Sequence, residues 1–400
     1  MSKGMGQDMA APDARGVISG IEELLPTLRE RAQDTEDARR IPDESIKALR
    51  ETGFFRLLQP RRFGGYEADP VSFYTAVKLV ASACGSTGWV GSILGVHPWH
   101  LALFDLRAQQ EVWGENEDTL VSSSYAPMGK AQVVDGGYRL SGRWSFSSGC
   151  DHATWVFLGG PAFDADGKAV DFCTYLLPIS DYTIDDVWDT VGLRGTGSND
   201  VLVEDVFVPQ HRALSFVATS KCKTPGQEAN PGPLYQLPFG SVHPSTITAP
   251  IIGMAQGAYE AHVEHQGKRV RAAYAGEKSN EDPFAKVRIA EAASEIDAAW
   301  LQLTHNIDEL YTHARAGEKL PFPTRLRVRR DQVRGTERAI AAIDRLFENS
   351  GGRALKVGTP IQRFWRDAHA GRVHAANDPE RAYTMFGTGE FGLPVQDSMV

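Results

Sequence analysis

Residues 132–142, QVVDGGYRLSG, decide the fold class. Gln132–Val134 and Tyr138–Leu140 are short β-branched or aromatic runs, and Asp135-Gly136-Gly137 and Ser141-Gly142 are the turn signals that punctuate them. Such alternation does not fit a helix, so the chain changes texture after Trp113. Further strands are expected at Thr154–Leu158, Phe172–Leu177, Thr183–Val191 and Val201–Val208, the last closed by Pro209. The block reads as a meander of antiparallel strands over residues 119–215.

Outward from it, the periodicity is helical. Val17, Ile18, Ile21, Leu24, Leu25 and Leu28 recur at helical spacing and give an amphipathic helix. Pro42 opens a second helix, which carries Ile46 and Leu49 on one face and stops at Gly53. A third apolar stretch, from Phe73 to about Phe104, is broken by Gly85, Gly88, Gly91 and Gly95. On the far side, residues 216–248 form a Pro/Gly-rich connection of the kind that serves as lid, pocket wall or plain surface loop. Ile251–Gln266, Phe284–His313 and Leu326–Asn349 then repeat with the period of bundled helices. The predicted fold is α+β: an N-terminal helical domain (1–118), an antiparallel β domain (119–215) and a C-terminal helical bundle (216–400).

Composition excludes several classes of function. With 42% hydrophobic and 23% charged residues, the 400-residue chain is an ordinary globular sequence. A net charge of −9 argues against nucleic acid, which needs a surplus of Lys and Arg. No run approaches the roughly 20 apolar residues of a membrane span, and MSKGMGQDMAAPDARG lacks a secretory apolar core, so a cytoplasmic protein is expected. Cys84, Cys150, Cys173 and Cys222 are scattered and fit reduced thiols. His262 and His265 lack further ligands for a metal and are expected to face solvent, so no metal site is expected. Arg325, Arg327, Arg329, Arg330 and Arg334 fit an exposed or subunit-facing helix. No phosphate-binding P-loop and no strand–GxGxxG–helix unit is present, so no nicotinamide site is expected.

Four segments carry a family resemblance. They are Ile41-Pro42-Asp43 through Gly53-Phe54 to Phe63-Gly64-Gly65-Tyr66; Leu140-Ser141-Gly142 through Phe146-Ser147-Ser148-Gly149; Gly192-Leu193-Arg194-Gly195-Thr196-Gly197-Ser198 with Val203 to Pro209; and Gly351-Gly352 with Phe364-Trp365-Arg366-Asp367-Ala368. Together they resemble the acyl-CoA dehydrogenase superfamily over nearly the whole chain. Two departures separate the chain from the dehydrogenases themselves. Their T-E-P-x-x-G-S-D loop is replaced by Ser122 to Lys130, and their catalytic Glu has no clear counterpart. Instead, His374-Ala375-Ala376-Asn377-Asp378-Pro379 resembles the flavin-dependent monooxygenase branch, and the segments Gly88 to His100 and Trp144 to His152 look closest to its steroid-ring hydroxylases.

That resemblance implies an oxygenase component that uses reduced FMN, with FADH2 as an alternative, and O2 to ortho-hydroxylate a phenol to a catechol. The implied substrate is the seco-steroid 3-hydroxy-9,10-secoandrosta-1,3,5(10)-triene-9,17-dione of sterol degradation. A separate NADH-dependent flavin reductase and a homotetramer are implied partners. Ser148 is implied beside flavin N5, within a flavin-binding set of Trp89, Phe146, Ser147, Ser148, His374 and Ala375. A phenol with a pKa near ~10 needs a base, and histidine suits the task. His97 is assigned to the phenol and His374 to the flavin C4a side; the reverse assignment stays open. Gly351 and Gly352 allow close backbone approach to a cofactor, and Arg269, in competition with Lys268 and Arg271, is assigned to the flavin phosphate.

Overall fold

The computed structural model describes residues 13–271 and 276–397; the polar N-terminal stretch before residue 13 and the last three residues lie outside them. Six helices come first: α1 (Ala14–Glu30), α2 (Ala32–Asp37), α3 (Asp43–Glu51), α4 (Pro70–Ala83), α5 (Gly85–Leu101) and α6 (Leu106–Trp113). Eight strands follow: β1 (Val121–Ser124), β2 (Gly129–Val134), β3 (Gly137–Ser147), β4 (Trp155–Phe163), β5 (Ala169–Pro178), β6 (Thr183–Asp185), β7 (Asn199–Pro209) and β8 (Ala213–Ser215). The chain then returns to helices: α7 (Phe216–Ser220), α8 (Pro225–Ala229), α9 (Phe239–Lys268), α10 (Pro283–Arg315), α11 (Phe322–Ser350), α12 (Pro360–Arg372) and α13 (Pro379–Glu390). Among the described residues no helix is long and apolar enough to cross a membrane.

The sheet is mixed, which corrects the antiparallel expectation. Its order is β6-β7-β3-β2-β4-β5-β8, with β1 also on β4. β2 and β3 form a hairpin through Asp135 and Gly136, and β4 and β5 are likewise antiparallel. Between β3 and β4, however, the chain crosses over through residues 148–154, so β4 runs parallel to both β1 and β2. β1 was missed by the sequence reading. The strand expected over Thr183–Val191 shrinks to β6, because the Asn199 side chain takes the N–H groups of Val187 and Trp188 that a ladder would have used.

Two helical expectations also change. Of the four glycines thought to break the third apolar stretch, only Gly85 marks a boundary; Gly88, Gly91 and Gly95 lie inside α5. A Cβ at Gly88 would stand 2.3 Å from Ala81 Cα, so glycine there lets α4 and α5 pack backbone against backbone. The loop expected up to residue 248 ends early, because α9 starts at Phe239 and contains Pro244 and Pro250. Proline 250 cannot donate to the carbonyl four residues back, and that carbonyl, Thr246 O, instead accepts from Ser92 Oγ at 2.6 Å. A side chain of α5 thus repairs the ladder of α9 and ties the two helices together.

Candidate functional site

α5 carries the first functional side chain. Trp89 is 5% exposed, and its indole N–H donates to Ser148 Oγ at 3.2 Å, just beyond the end of β3. Ser148 Oγ is 2.8 Å from Ser198 Oγ, which is 2.7 Å from Thr196 Oγ1. The His374 ring, in the turn after α12, lies 5.9 Å from the Trp89 ring and meets it edge-on. A register break in the β3–β7 pairing between Trp144 and Ser147 turns Phe146 outward, with φ at 70° and 65% of the residue exposed. An aromatic residue in the left-handed region, standing in solvent beside Trp188, is strained backbone without a packing reason, and such strain clusters where ligands bind. Ser147 points the other way; it is fully buried, with its hydroxyl engaged by Ser122.

Two turns further along α5, three imidazoles, those of His97, His100 and His243, gather around Tyr125, with His374 within electrostatic reach of His243. His97 Nδ1 meets the Val121 carbonyl, and since a carbonyl only accepts, Nδ1 holds the proton. Its Nε2 is therefore bare, and it is buried with no hydrogen-bond partner among the described residues. His100 Nδ1 is 2.7 Å from the Tyr125 hydroxyl. His243, on α9, stacks on Phe239 at 4.9 Å and meets Tyr125 edge-on at 5.0 Å. His374 has the opposite polarity to His97: its Nδ1 accepts the Ala376 N–H at 3.1 Å, so the neutral ring carries its proton on Nε2. Burial holds both His97 and His374 down to about 4. It also holds His100 and His243 well below the usual histidine range, helped at His243 by His374, His97 and His100. Near neutral pH the site is lined by uncharged imidazoles and aromatic rings.

The residues picked from sequence fall into two groups. Trp89, Ser148 and His374 come together, Ala375 follows His374 in the same turn, and His97 lies along the helix of Trp89; Phe146 stands two residues before Ser148 with its ring against Trp188, and Ser147 is turned to Ser122. Arg269, Gly351 and Gly352 do not join them. Ile251 packs with Trp89 around Gly371, and Arg269 is 18 residues beyond it, roughly 27 Å along α9 at 1.5 Å per residue. Arg269 stands in extended backbone just past the end of α9, where it donates to Asn349 O at 2.7 Å. It lines a separate polar cleft of about 230 Å³ with Gln266, Ser279 and Gly351.

His262 and His265 are a further correction. His262 is buried and 2.8 Å from Ser350 Oγ, and His265 meets Ser350 O, so neither faces solvent as a free pair. Among the arginines thought exposed, Arg329 is 1% exposed and donates to Ala376 O, supporting the turn that carries His374. His100, His243, Tyr125, Thr196 and Ser198 were not singled out from sequence. His100 closes the Gly88 to His100 segment, and its place one helical turn from His97 was the available signal. His243 was hidden by the prolines that made residues 216–248 read as a loop. Among the described residues no cluster of His, Cys, Asp and Glu could hold a metal, and all four cysteines are free.

The residues at Trp89 fit a flavin on three observations: an indole wall, a hydroxyl with hydrogen-bonding capacity to spare, and a strained exposed phenyl. Comparison with known proteins gives the family. Residues 22–113 match the family described as acyl-CoA dehydrogenase, N-terminal domain, and residues 245–379 match acyl-CoA dehydrogenase, C-terminal domain. The chain is 68% identical over 380 residues to the flavin-dependent monooxygenase oxygenase subunit HsaA of Rhodococcus jostii, covering 95% of this chain and 99% of that one. It superposes on the crystal structure of 3-HSA hydroxylase from Rhodococcus sp. RHA1 with a TM-score of 0.94, at 68% identity over 96% of this chain and 99% of that one. It is 32% identical to the p-hydroxyphenylacetate 3-hydroxylase oxygenase component of Acinetobacter baumannii, across 97% of this chain and 92% of that one. The chain belongs to the acyl-CoA dehydrogenase superfamily and, within it, to the oxygenase subunits of the flavin-dependent monooxygenases.

Proposed function

We propose that the chain hydroxylates a phenolic seco-steroid ortho to its hydroxyl, with His97 as the base that takes the phenol proton. The observation that carries this reading is the buried, bare Nε2 of His97, fixed in that tautomer by the Val121 carbonyl. As an oxygenase subunit the protein works with reduced flavin and O2, and the flavin when bound supplies the oxygen activation. Everything else falls to the side chains. His97, neutral above about pH 4, accepts the phenol proton and leaves the ring more electron-rich for attack. His374 presents its Nε2–H toward the flavin side as a donor. Trp89 and Phe146 would flank a bound flavin, and Ser148 would stand at its N5 edge. The aromatic wall of Tyr125, Phe157 and Phe239 excludes water from a flat apolar substrate. The opposite polarity of the two imidazoles supports His97 rather than His374 as the base.

The steroid is favoured by the likeness to the 3-HSA hydroxylase, and a phenol more generally by the p-hydroxyphenylacetate hydroxylase. The further parts of the reading are a separate NADH-dependent flavin reductase, a cytoplasmic location, and a homotetramer in which Arg269, Gly351 and Gly352 serve a flavin seated on a neighbouring copy. The separation of that cluster from Ser148 along α9 supports the last point. The test couples the protein to an NADH:flavin reductase with FMN in air and offers the seco-steroid and p-hydroxyphenylacetate. A product one oxygen heavier from the seco-steroid, in clear preference to the small phenol, is expected. NADH and O2 consumption without hydroxylation of either compound refutes the reading.

A further inference from the structure

Building on the placement of Ser148 at the flavin N5 edge, we infer that Ser198, backed by Thr196, is a positioning residue that fixes which way the Ser148 proton points and so which redox form of the flavin the site prefers. Four hydrogen bonds in series carry the inference. Thr196 Oγ1 donates to Leu193 O at 2.9 Å, and that is its only proton. At its 2.7 Å contact with Ser198, Thr196 therefore accepts, and Ser198 spends its single proton there. At the 2.8 Å contact with Ser148, Ser198 in turn accepts, which takes the Ser148 proton. At its other side, Ser148 accepts from the Trp89 indole, a group that can only donate. Ser148 is left with one lone pair and no proton to offer.

The reverse order would have Thr196 donate to Ser198 and Ser198 to Ser148. Leu193 O tolerates this, since the Thr196 N–H and the Trp188 indole also reach it. The Ser148 proton would then have no acceptor among the hydrogen bonds of the described residues. Only the forward order satisfies every hydroxyl proton within the protein, and all three hydroxyl residues are at least 93% buried, where an unplaced proton is costly. The chain thus favours a ligand atom that brings its own hydrogen. Reduced flavin carries N5–H; oxidised flavin has a bare N5 that must itself accept. To serve the oxidised form the whole row must reverse or the contact is lost, a difference of roughly tenfold in affinity for one hydrogen bond.

The test is anaerobic titration of the protein with oxidised FMN and with dithionite-reduced FMN, giving the ratio of the two dissociation constants without any turnover. Ser198→Ala frees the Ser148 proton to rotate toward the ligand, so the preference for reduced FMN should narrow about tenfold, and Thr196→Val should narrow it in the same sense. Ser198→Thr, which keeps the hydroxyl, should restore it. An unchanged ratio in both Ser198→Ala and Thr196→Val, with native circular dichroism, overturns the inference. Ser148→Ala separates this from the underlying placement: if it alters neither dissociation constant, Ser148 does not face the flavin, and the inference falls with that placement. A ratio moved by Ser148→Ala but not by the other two overturns only the role of Ser198.

Discussion

Replacing His97 by asparagine separates the base from the structural hydrogen bond. The asparagine amide can still donate to Val121 O as Nδ1 does, but it offers nothing basic where Nε2 stood. At pH 7 a phenol with a pKa near ~10 is ionised only to about one part in a thousand. A variant that relies on this spontaneous fraction should hydroxylate roughly a thousandfold more slowly, within the range usual for loss of a general base. The pH profile supplies the sharper signature. Burial holds His97 down to about 4 in the folded enzyme, so its Nε2 is unprotonated and free to accept from the phenol at every pH above that, and the normal enzyme should show no limb from it between pH 6 and 9. His97→Asn should instead gain close to tenfold per pH unit over that range, as the phenolate forms in solution. Catechol formation is followed by mass spectrometry with a reductase supplying flavin, and O2 uptake is recorded in parallel. O2 consumption should persist in the variant with hydrogen peroxide replacing catechol. A variant within threefold of the normal rate at pH 7, with a flat profile, removes His97 from the chemistry.

Other predictions concern the scaffold. A Cβ at Gly129 would stand 1.8 Å from Trp144 Cζ2, and Trp144 is fully buried, so Gly129→Ala should cost about 2–3 kcal/mol in urea unfolding; a loss below half that would mean the sheet yields easily. Asn377 accepts from Gln332 and Thr336 and donates to Gly371 O, locking the turn behind His374. Asn377→Ala should destabilise by about 1–3 kcal/mol and lower the hydroxylation yield per O2 consumed, and unchanged coupling would uncouple that turn from the reaction. The buried histidines also set a pH dependence of stability. His97, His152 and His262 fall from 6.5 unfolded to about 4 folded, so between those values the unfolded chain binds more protons. Stability is complete above pH 6.5 and is lost as pH falls toward 4, by up to roughly 3 kcal/mol for each fully buried ring. Calorimetry should show Tm dropping steadily from pH 7 to 5, and a flat Tm over that interval contradicts the assignment.

The helix–sheet–helix succession was legible because it rests on local periodicity: the QVVDGGYRLSG hairpin, the amphipathic run of α1 and the long Ala-rich helices each declare themselves within a dozen residues. Local signals also misled. Proline reads as a breaker, so Pro244 and Pro250 hid the first turns of α9; a tertiary contact, from Ser92, takes up the Thr246 carbonyl that Pro250 leaves open. Glycine reads as a breaker too, whereas Gly88 is required by the closeness of α4. β1 has too little sequence of its own to be read, because its partner β4 starts more than thirty residues later.

At the site, the sequence by itself determined which residue types are available: Ser148, Trp89, His97 and His374 in segments resembling an oxygenase, with no nicotinamide-binding unit. Only the tertiary structure decided how they are used. A histidine in a sequence has two interchangeable nitrogens, and only the fold puts Val121 O on the Nδ1 of His97 and the Ala376 N–H on that of His374, the contrast on which the proposal of His97 as base rests. Arg269 and Ser148 could be put in one site of a single chain on paper, but α9 holds them apart within that chain. The direction of the Ser148 proton is set by a carbonyl at residue 193 and an indole at residue 89, neighbours in space that no sequence spacing announces.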